Sequence, residues 1–62
     1  MNTKQFIKVL TAHGWYEVRQ RGSHKQYKHE TETGTVTIPY HGDKKEVPKG
    51  LANAILKQAG LK

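Results

Sequence analysis

The pair Gly22-Ser23, set between two segments of strand-like composition, constrains the fold more than any other feature of this sequence. Short turns that contain glycine join consecutive strands into a β-hairpin. Residues 15–21 are rich in aromatic and β-branched side chains and alternate in polarity, and residues 24–29 alternate in the same way. The pattern therefore predicts two antiparallel strands, with a tight turn that fixes the direction of the next side chain, His24.

A third strand is predicted over residues 35–40, where Val36 and Ile38 alternate with polar residues and turn inward. The polar run 30–34 ends in glycine and is typical of a hairpin loop. Pro39 cannot donate a ladder hydrogen bond, so it marks the end of the strand or a sheet edge. Three consecutive strands joined by short turns form an antiparallel meander.

The two faces of the first strand follow from its alternation. In a regular strand, Val18 marks the inner face. Trp15 then points away from the core, unless it precedes the strand or a β-bulge intervenes, and both alternatives remain open. Tryptophan more often contributes core mass than a surface for stacking bases. Trp15 shares its face with Glu17, Arg19 and Arg21.

A helix is predicted on the N-terminal side of the strands, over residues 3–13. Thr3 is the expected N-cap and Gly14 the expected stop. His13 falls in the last turn, where a cationic imidazole suits the helix dipole, so a capping role is favoured over catalysis. The apolar residues recur at helical spacings of three and four at Phe6, Val9 and Leu10.

A second helix follows the charged loop 41–47, which we expect to be solvated. Pro48 suits the first helical position, and Gly60 is the expected residue just beyond the helix end. Leu61 would then contact Leu56, as in a Schellman ending. The predicted core-facing stripe consists of Leu51, Ala54, Ile55 and Gln58.

The predicted element order is α-β-β-β-α. This is an α+β fold in which two helices cover one face of a three-stranded antiparallel sheet and leave the other face free. The 62 residues predict a single domain, 1–62, with a small core. There is no cysteine, so neither a disulfide nor a thiolate zinc site supplements that core. No apolar run approaches the ~20 residues that span a bilayer, and the start lacks a signal peptide, so we expect a cytoplasmic protein without a membrane partner.

The charge is strongly unbalanced. Eleven Lys and Arg residues against five Asp and Glu residues give a formal net charge of +6. Such a balance favours a polyanionic partner, most often nucleic acid. Simple solubility, or attraction to an acidic protein, would also explain it.

The chemistry that these residues can support centres on His24. Four histidines invite a metal site, but His24 and His29 lie five apart along one strand and face opposite ways, and the carboxylates are scattered. Ser23 as nucleophile is disfavoured because adjacent strand residues diverge, so it is better interpreted as a turn residue or a phosphate contact. RNA supplies its own nucleophile, the 2′-hydroxyl, and needs only a base and cations. The alternative is a polar turn whose histidine merely faces water.

Five short motifs occur in a distinctive order over nearly the whole chain. They are Gly22-Ser23-His24, Tyr27 with His29, Ile38-Pro39-Tyr40-His41, Glu46-Val47-Pro48-Lys49-Gly50-Leu51, and Ile55-Leu56-Lys57-Gln58-Ala59-Gly60-Leu61. Each is weak alone, but their order and spacing together are specific. In this respect the sequence resembles the HicA toxins of bacterial toxin–antitoxin pairs.

The resemblance implies a fold like that of double-stranded-RNA-binding domains. It also implies a ribosome-independent endoribonuclease that cleaves messenger RNA, arrests growth and is held inactive by a HicB-type antitoxin. The catalytic residue implied is the histidine of Gly-Ser-His, His24. No cofactor or metal is expected, and no DNA contact is expected from the toxin alone.

The resemblance does not assign the cations, which we infer from position. Ser23 is a candidate phosphate contact, and His29 and His41 are secondary candidates for a general acid. Tyr27 is favoured as a core residue over a base-stacking one. The rival functions are a non-catalytic RNA-binding module and a protein that binds only an acidic partner. The candidate RNA-binding cations are Arg19, Arg21, Lys25 and Lys28 around the hairpin, and Lys44, Lys45 and Lys49 from the far loop.

Overall fold

A computed structural model describes all 62 residues as two helices and three strands. The elements are α1 (Thr3–Ala12), β1 (Tyr16–Arg21), β2 (His24–Lys28), β3 (Val36–Pro39) and α2 (Lys49–Gln58). The strands form one antiparallel sheet in the order β1-β2-β3. The predicted α-β-β-β-α order and α+β class are confirmed.

Both helices pack on the same face of the sheet. The core contains nine buried residues from α1, the sheet, the connecting segments and α2. Val36 and Ile38 face this core, as predicted, and Pro39 ends β3. Since the core lies on one side of the sheet, the other side has no covering element. The core residues are Phe6, Leu10, Trp15, Tyr27, Val36, Ile38, Val47, Ile55 and Ala59.

The first helix is capped by Asn2, so the predicted cap at Thr3 is wrong. The Asn2 side chain accepts a hydrogen bond from the Gln5 N–H at 2.9 Å, and the Gln5 side chain accepts one from the Asn2 N–H at 2.9 Å. This reciprocal pair is a capping box. Thr3 is instead buried, and its hydroxyl donates to the Lys45 carbonyl at 2.8 Å. The helix ends as expected, with His13 as C-cap and Gly14 at a φ of +93°.

The first strand contains a β-bulge. The register with β2 shifts between Glu17 and Arg19, so Val18 is the extra residue. Trp15 precedes the strand and is buried, whereas Val18 is 39% exposed. The prediction that Val18 faces the core is therefore wrong, because the bulge removes it from the alternation. Both of the alternatives considered for Trp15, a position before the strand and a bulge, occur together.

The second helix is rotated relative to its predicted face. Ile55 is buried as expected, but Leu51, Ala54 and Gln58 are exposed. Residues three and four positions before or after Ile55 all lie near its side of the helix. Periodicity alone therefore cannot determine which of them are buried. Pro48 is the N-cap and not the first helical residue. The residues that pack inward with Ile55 are Ala52, Leu56 and Ala59.

The end of α2 has the predicted form. Gly60 has a φ of +76°, and the Leu61 N–H donates to the Leu56 carbonyl at 2.8 Å. These are the features of a Schellman motif. Both helices have ten residues, and neither has the length and apolar character needed to cross a membrane.

Candidate nucleic-acid interface

The β1–β2 turn presents His24 at the end of the sheet. Gly22 occupies the first central position with a φ of +56°, a conformation that glycine adopts without strain. His24 is the first residue of β2 and pairs with Arg21 of β1 and Pro39 of β3. The Tyr40 N–H donates to the Ser23 carbonyl, which ties the turn to the end of β3. His24 is thus exposed on the central strand, between two neighbouring strands.

Two arginines of β1 lie on the face that displays His24. Directly paired residues of antiparallel strands project to the same face. Arg21 pairs with His24, and Arg19 pairs with Gln26. Tyr27 points into the core, so its alternating neighbours on β2 point the other way. We call the uncovered side of the sheet the open face; its residues are Tyr16, Arg19, Arg21, His24, Gln26, Lys28, Thr37 and Pro39.

The open face is positively charged without compensation. It contains the cations Arg19, Arg21 and Lys28 and no carboxylate. Glu17 pairs with Tyr27 and therefore lies on the core side of the sheet. The other acidic residues lie in the two loops after β2 and β3. They are Glu30, Glu32, Asp43 and Glu46.

Lys25 is not brought to the open face. It shares the side of Tyr27, where its Nζ atom lies 3.2 Å from a Glu17 carboxylate oxygen. The same atom lies 4.3 Å from the centre of the Tyr40 ring, a cation–π contact. Tyr40 in turn donates its hydroxyl to Asp43 at 2.6 Å, and this hydrogen bond is the main cause of a raised pKa for Tyr40. Lys25 is therefore already paired within the chain.

The remaining predicted cations lie away from the sheet. Lys44 and Lys45 are exposed in the loop between β3 and α2, and Lys49 is the first residue of α2. The Lys45 backbone carbonyl accepts hydrogen bonds from both the N–H and the hydroxyl of Thr3, which fixes the loop to the start of α1. None of these three lysines belongs to a strand, so the structure does not place them on the open face.

His29 has a structural environment and not a catalytic one. Its Nε2–H donates to the His13 carbonyl at 2.8 Å, and its Nδ1 accepts from the N–H of Thr31 at 3.1 Å and of Glu32 at 3.3 Å. Its ring meets Trp15 edge-on at a centroid distance of 5.2 Å. Both ring nitrogens are therefore occupied. His29 also lies beyond the end of β2 opposite His24, so the structure does not bring these two histidines together.

His24 and His41 have free rings. Neither imidazole has a hydrogen-bond partner in the chain, in contrast to His13, whose Nδ1–H donates to the Val9 carbonyl at 2.7 Å. His41 follows β3 by two residues and borders a cleft of about 240 Å³ that also includes Pro39. Since Pro39 pairs with His24, His41 lies at the same end of the sheet. No three His, Asp or Glu side chains converge to form a metal-binding group.

Tyr16 is the aromatic residue that the sequence reasoning missed. Tyr27 is 1% exposed, which confirms its interpretation as a core residue, and burial, with contributions from Glu17 and Tyr40, raises its pKa to about 12. Tyr16 is 47% exposed and pairs with Lys28 on the open face. A regular strand would place Tyr16 beside an inward Val18. The available signal was that Trp15 and Val18 cannot both face inward without a bulge.

Comparisons with known proteins agree with this geometry. Residues 3–61 match the family model described as HicA toxin of bacterial toxin-antitoxin. A chain in the solved structure of a toxin–antitoxin complex from Streptococcus pneumoniae is 39% identical, with a TM-score of 0.79 and coverage of 98% of both chains. No curated protein sequence matches the chain.

Proposed function

The chain belongs to the HicA toxin family of bacterial toxin–antitoxin systems, and from this premise we propose that it is a metal-independent endoribonuclease of messenger RNA. His24 is the general base. Its neutral imidazole removes the proton of a ribose 2′-hydroxyl, and the oxygen attacks the adjacent phosphorus. The 5′-oxygen of the next nucleotide leaves, and a 2′,3′-cyclic phosphate remains.

The observation that supports this role most directly is the exposed, unpartnered ring of His24 on a cationic face. A general base must reach the proton that it removes, and a ring already held by backbone groups, as in His29, cannot do so. His24 has no such restraint and lies on the central strand of the sheet. Its position therefore allows an RNA strand to approach from the open face.

Arg21 is the proposed stabiliser of the developing negative charge. It lies directly opposite His24, and Cβ atoms of such cross-strand pairs are about 4.5–5.5 Å apart. A guanidinium at this distance can donate hydrogen bonds to the phosphoryl oxygens as charge accumulates on them. Arg19 and Lys28 continue the row of cations along the sheet. Together they hold the phosphates that flank the cleaved bond.

Other candidates have secondary roles in the proposal. Ser23 adjoins His24 in the turn and can donate its hydroxyl to a phosphate oxygen. His41, at the same end of the sheet, is the candidate acid that protonates the leaving 5′-oxygen. Lys25 would first have to leave Glu17 to contact RNA. Lys44, Lys45 and Lys49 are candidates for phosphates further along the strand.

We propose a HicB-type antitoxin as the protein partner. The similar chain from Streptococcus pneumoniae comes from a toxin–antitoxin complex. In the simplest form of inhibition, the antitoxin covers the open face or the exposed edge at β1 and thereby excludes RNA from His24. A structure of the complex in which His24 stays open while activity is suppressed would instead favour a block of RNA docking elsewhere.

The test is cleavage of a purified RNA in EDTA by the wild-type protein and by His24→Ala. We expect the wild type to cleave and His24→Ala to bind RNA without cleaving it. His13→Ala is a suitable control, because it removes an exposed imidazole that lies outside the open face. If both His24 forms cleave equally, the proposed base is wrong. If neither cleaves while both bind, the protein is a non-catalytic RNA-binding module. Absence of salt-sensitive RNA retention would favour a protein that binds only an acidic partner.

A further inference from the structure

Tyr16 is the only phenylalanine, tryptophan or tyrosine on the open face, and its side chain is not part of the core. Phe6, Trp15 and Tyr27 are buried in the core. Tyr40 is half-buried and bound to Asp43 and Lys25. Tyr16 alone is exposed, and its hydroxyl has no hydrogen-bond partner in the chain. An aromatic ring that is exposed beside a row of cations is available to stack on a nucleic-acid base.

The β-bulge is what places Tyr16 beside the cations. Tyr16 and Arg19 are three residues apart, and in a regular strand such residues face opposite sides of the sheet. Because Val18 is the extra residue, Tyr16, Arg19 and Arg21 all project from the open face. Bulges are known to redirect side chains near active sites. In this chain the bulge joins an aromatic surface to a row of positive charges.

We propose that Tyr16 stacks on an unpaired base of a single-stranded RNA substrate, near the end of the open face opposite His24. This inference rests on the proposed function and extends it to the form of the substrate. The partner of Tyr16 is Lys28, four residues from His24 along β2, which corresponds to about 13 Å at ~3.3 Å per residue. That distance equals about four nucleotides of a stacked strand at ~3.4 Å each, and fewer when the strand is extended.

The chemistry of the open face favours a single RNA strand over an RNA duplex. A duplex keeps its bases stacked on each other, so their faces are unavailable to a tyrosine ring. A single strand offers both a phosphate backbone for Arg19, Arg21 and Lys28 and a free base for Tyr16. The open face has no carboxylate that would repel the phosphates of a strand lying between Tyr16 and His24.

Base stacking can be measured apart from cleavage. We would place a fluorescent 2-aminopurine at each position in turn of a short single-stranded RNA and bind it to the His24→Ala protein. Stacking on an aromatic ring quenches this base. We expect strong quenching at one position, its loss in the His24→Ala/Tyr16→Ala double variant, and its retention with Tyr16→Phe. The affinity should fall about 5- to 150-fold on loss of Tyr16, the range found for one stacked base.

The controls separate stacking from folding and from catalysis. Val18→Ala truncates another exposed side chain of the same strand and should leave quenching and affinity unchanged. Tyr16→Leu keeps an apolar side chain without the aromatic face and should behave like Tyr16→Ala. Emission from the buried Trp15, the single tryptophan, verifies that each variant is folded.

The possible failures are distinguishable. If RNA binding and the quenching pattern are unchanged in Tyr16→Ala, the inference is wrong even when the wild-type protein cleaves RNA. If Tyr16→Ala weakens only the complex with the antitoxin, the surface serves the protein partner, and the inference is also wrong. If quenching depends on Tyr16 but no RNA is cleaved, the stacking role stands and the proposed nuclease does not.

Discussion

Replacing His29 with alanine should destabilise the fold strongly and leave the cleavage chemistry intact. The His29 ring joins three parts of the chain, through hydrogen bonds to the His13 carbonyl and to the N–H groups of Thr31 and Glu32. It also packs edge-on against Trp15. His24 has none of these contacts. Replacing His24 should therefore abolish cleavage without loss of stability, whereas replacing His29 should lower stability without loss of the cleavage chemistry.

The magnitude follows from these contacts. A net hydrogen bond contributes about 0.5–1.5 kcal/mol, and an edge-to-face aromatic pair about 0.5–1.5 kcal/mol. His29 is half-buried, so water replaces part of what is lost. We therefore expect a loss of about 3 kcal/mol. A domain of this size has a total stability of about 3–9 kcal/mol. A loss of about 3 kcal/mol should lower its melting temperature by roughly 20–25 °C.

Thermal unfolding followed by Trp15 emission and by circular dichroism measures this loss. His29→Phe is a matched variant, because it keeps an aromatic ring near Trp15 and removes the hydrogen bonds of the imidazole, so its stability should be intermediate. Below its melting temperature, His29→Ala should still cleave RNA, whereas His24→Ala should melt like the wild type and be inactive. A His29→Ala protein that melts within a few degrees of the wild type, or one that is folded but inactive, would refute the structural assignment of His29.

Three further predictions concern the glycine stop, the bulge and the buried tyrosine. Gly34→Ala, at a φ of +86° with open space around it, should cost about 1–2 kcal/mol in chemical denaturation. Gly14→Ala should cost at least about 1 kcal/mol more, because its added Cβ would lie 2.6 Å from the His29 Nε2 atom; equal costs would contradict the contact. In the same assay, Val18→Ala should change stability by no more than about 0.5 kcal/mol, whereas Val36→Ala should cost about 2 kcal/mol. A larger cost for Val18→Ala than for Val36→Ala would contradict the bulge. Burial raises the pKa of Tyr27 from 10.0 to about 12, so the fold favours the neutral phenol. This contribution to stability is full below pH 10 and is lost as the pH rises through 12. Over that range, the free energy of unfolding of Tyr27→Phe should therefore fall less steeply with pH than that of the wild type.

The parts of the fold that could be predicted from the sequence are those set by local chemistry. Gly22-Ser23 marks the hairpin because glycine tolerates a positive φ, and Gly60 marks the end of α2 for the same reason. The alternation at Val36 and Ile38 identifies the inner face of β3 without help from the rest of the chain. Local signals of this kind also predict that the turn presents His24.

The parts that could not be predicted depend on packing between elements. Val18 is apolar and β-branched, and only the burial of Trp15 ahead of the strand, together with the shifted register, shows that it is the extra residue of a bulge. That single shift places Tyr16 on the side of His24 and Glu17 on the side of Tyr27, the reverse of their places in a regular strand. The cap at Asn2 and the structural role of His29 likewise require partners distant in space or sequence, which periodicity does not reveal.

The chemistry of the product ends tests the central proposal most directly. A short RNA with one cleavage site would be digested in EDTA, and its fragments compared with those from the same RNA containing a single 2′-deoxyribose on the 5′ side of that bond. The proposed mechanism predicts a 2′,3′-cyclic phosphate and a 5′-hydroxyl, no cleavage at the deoxy-substituted bond, and no cleavage of either RNA by His24→Ala. Fragments with a 5′-phosphate, or cleavage at the deoxy-substituted bond, would show that the 2′-hydroxyl is not the nucleophile and would contradict the role of His24.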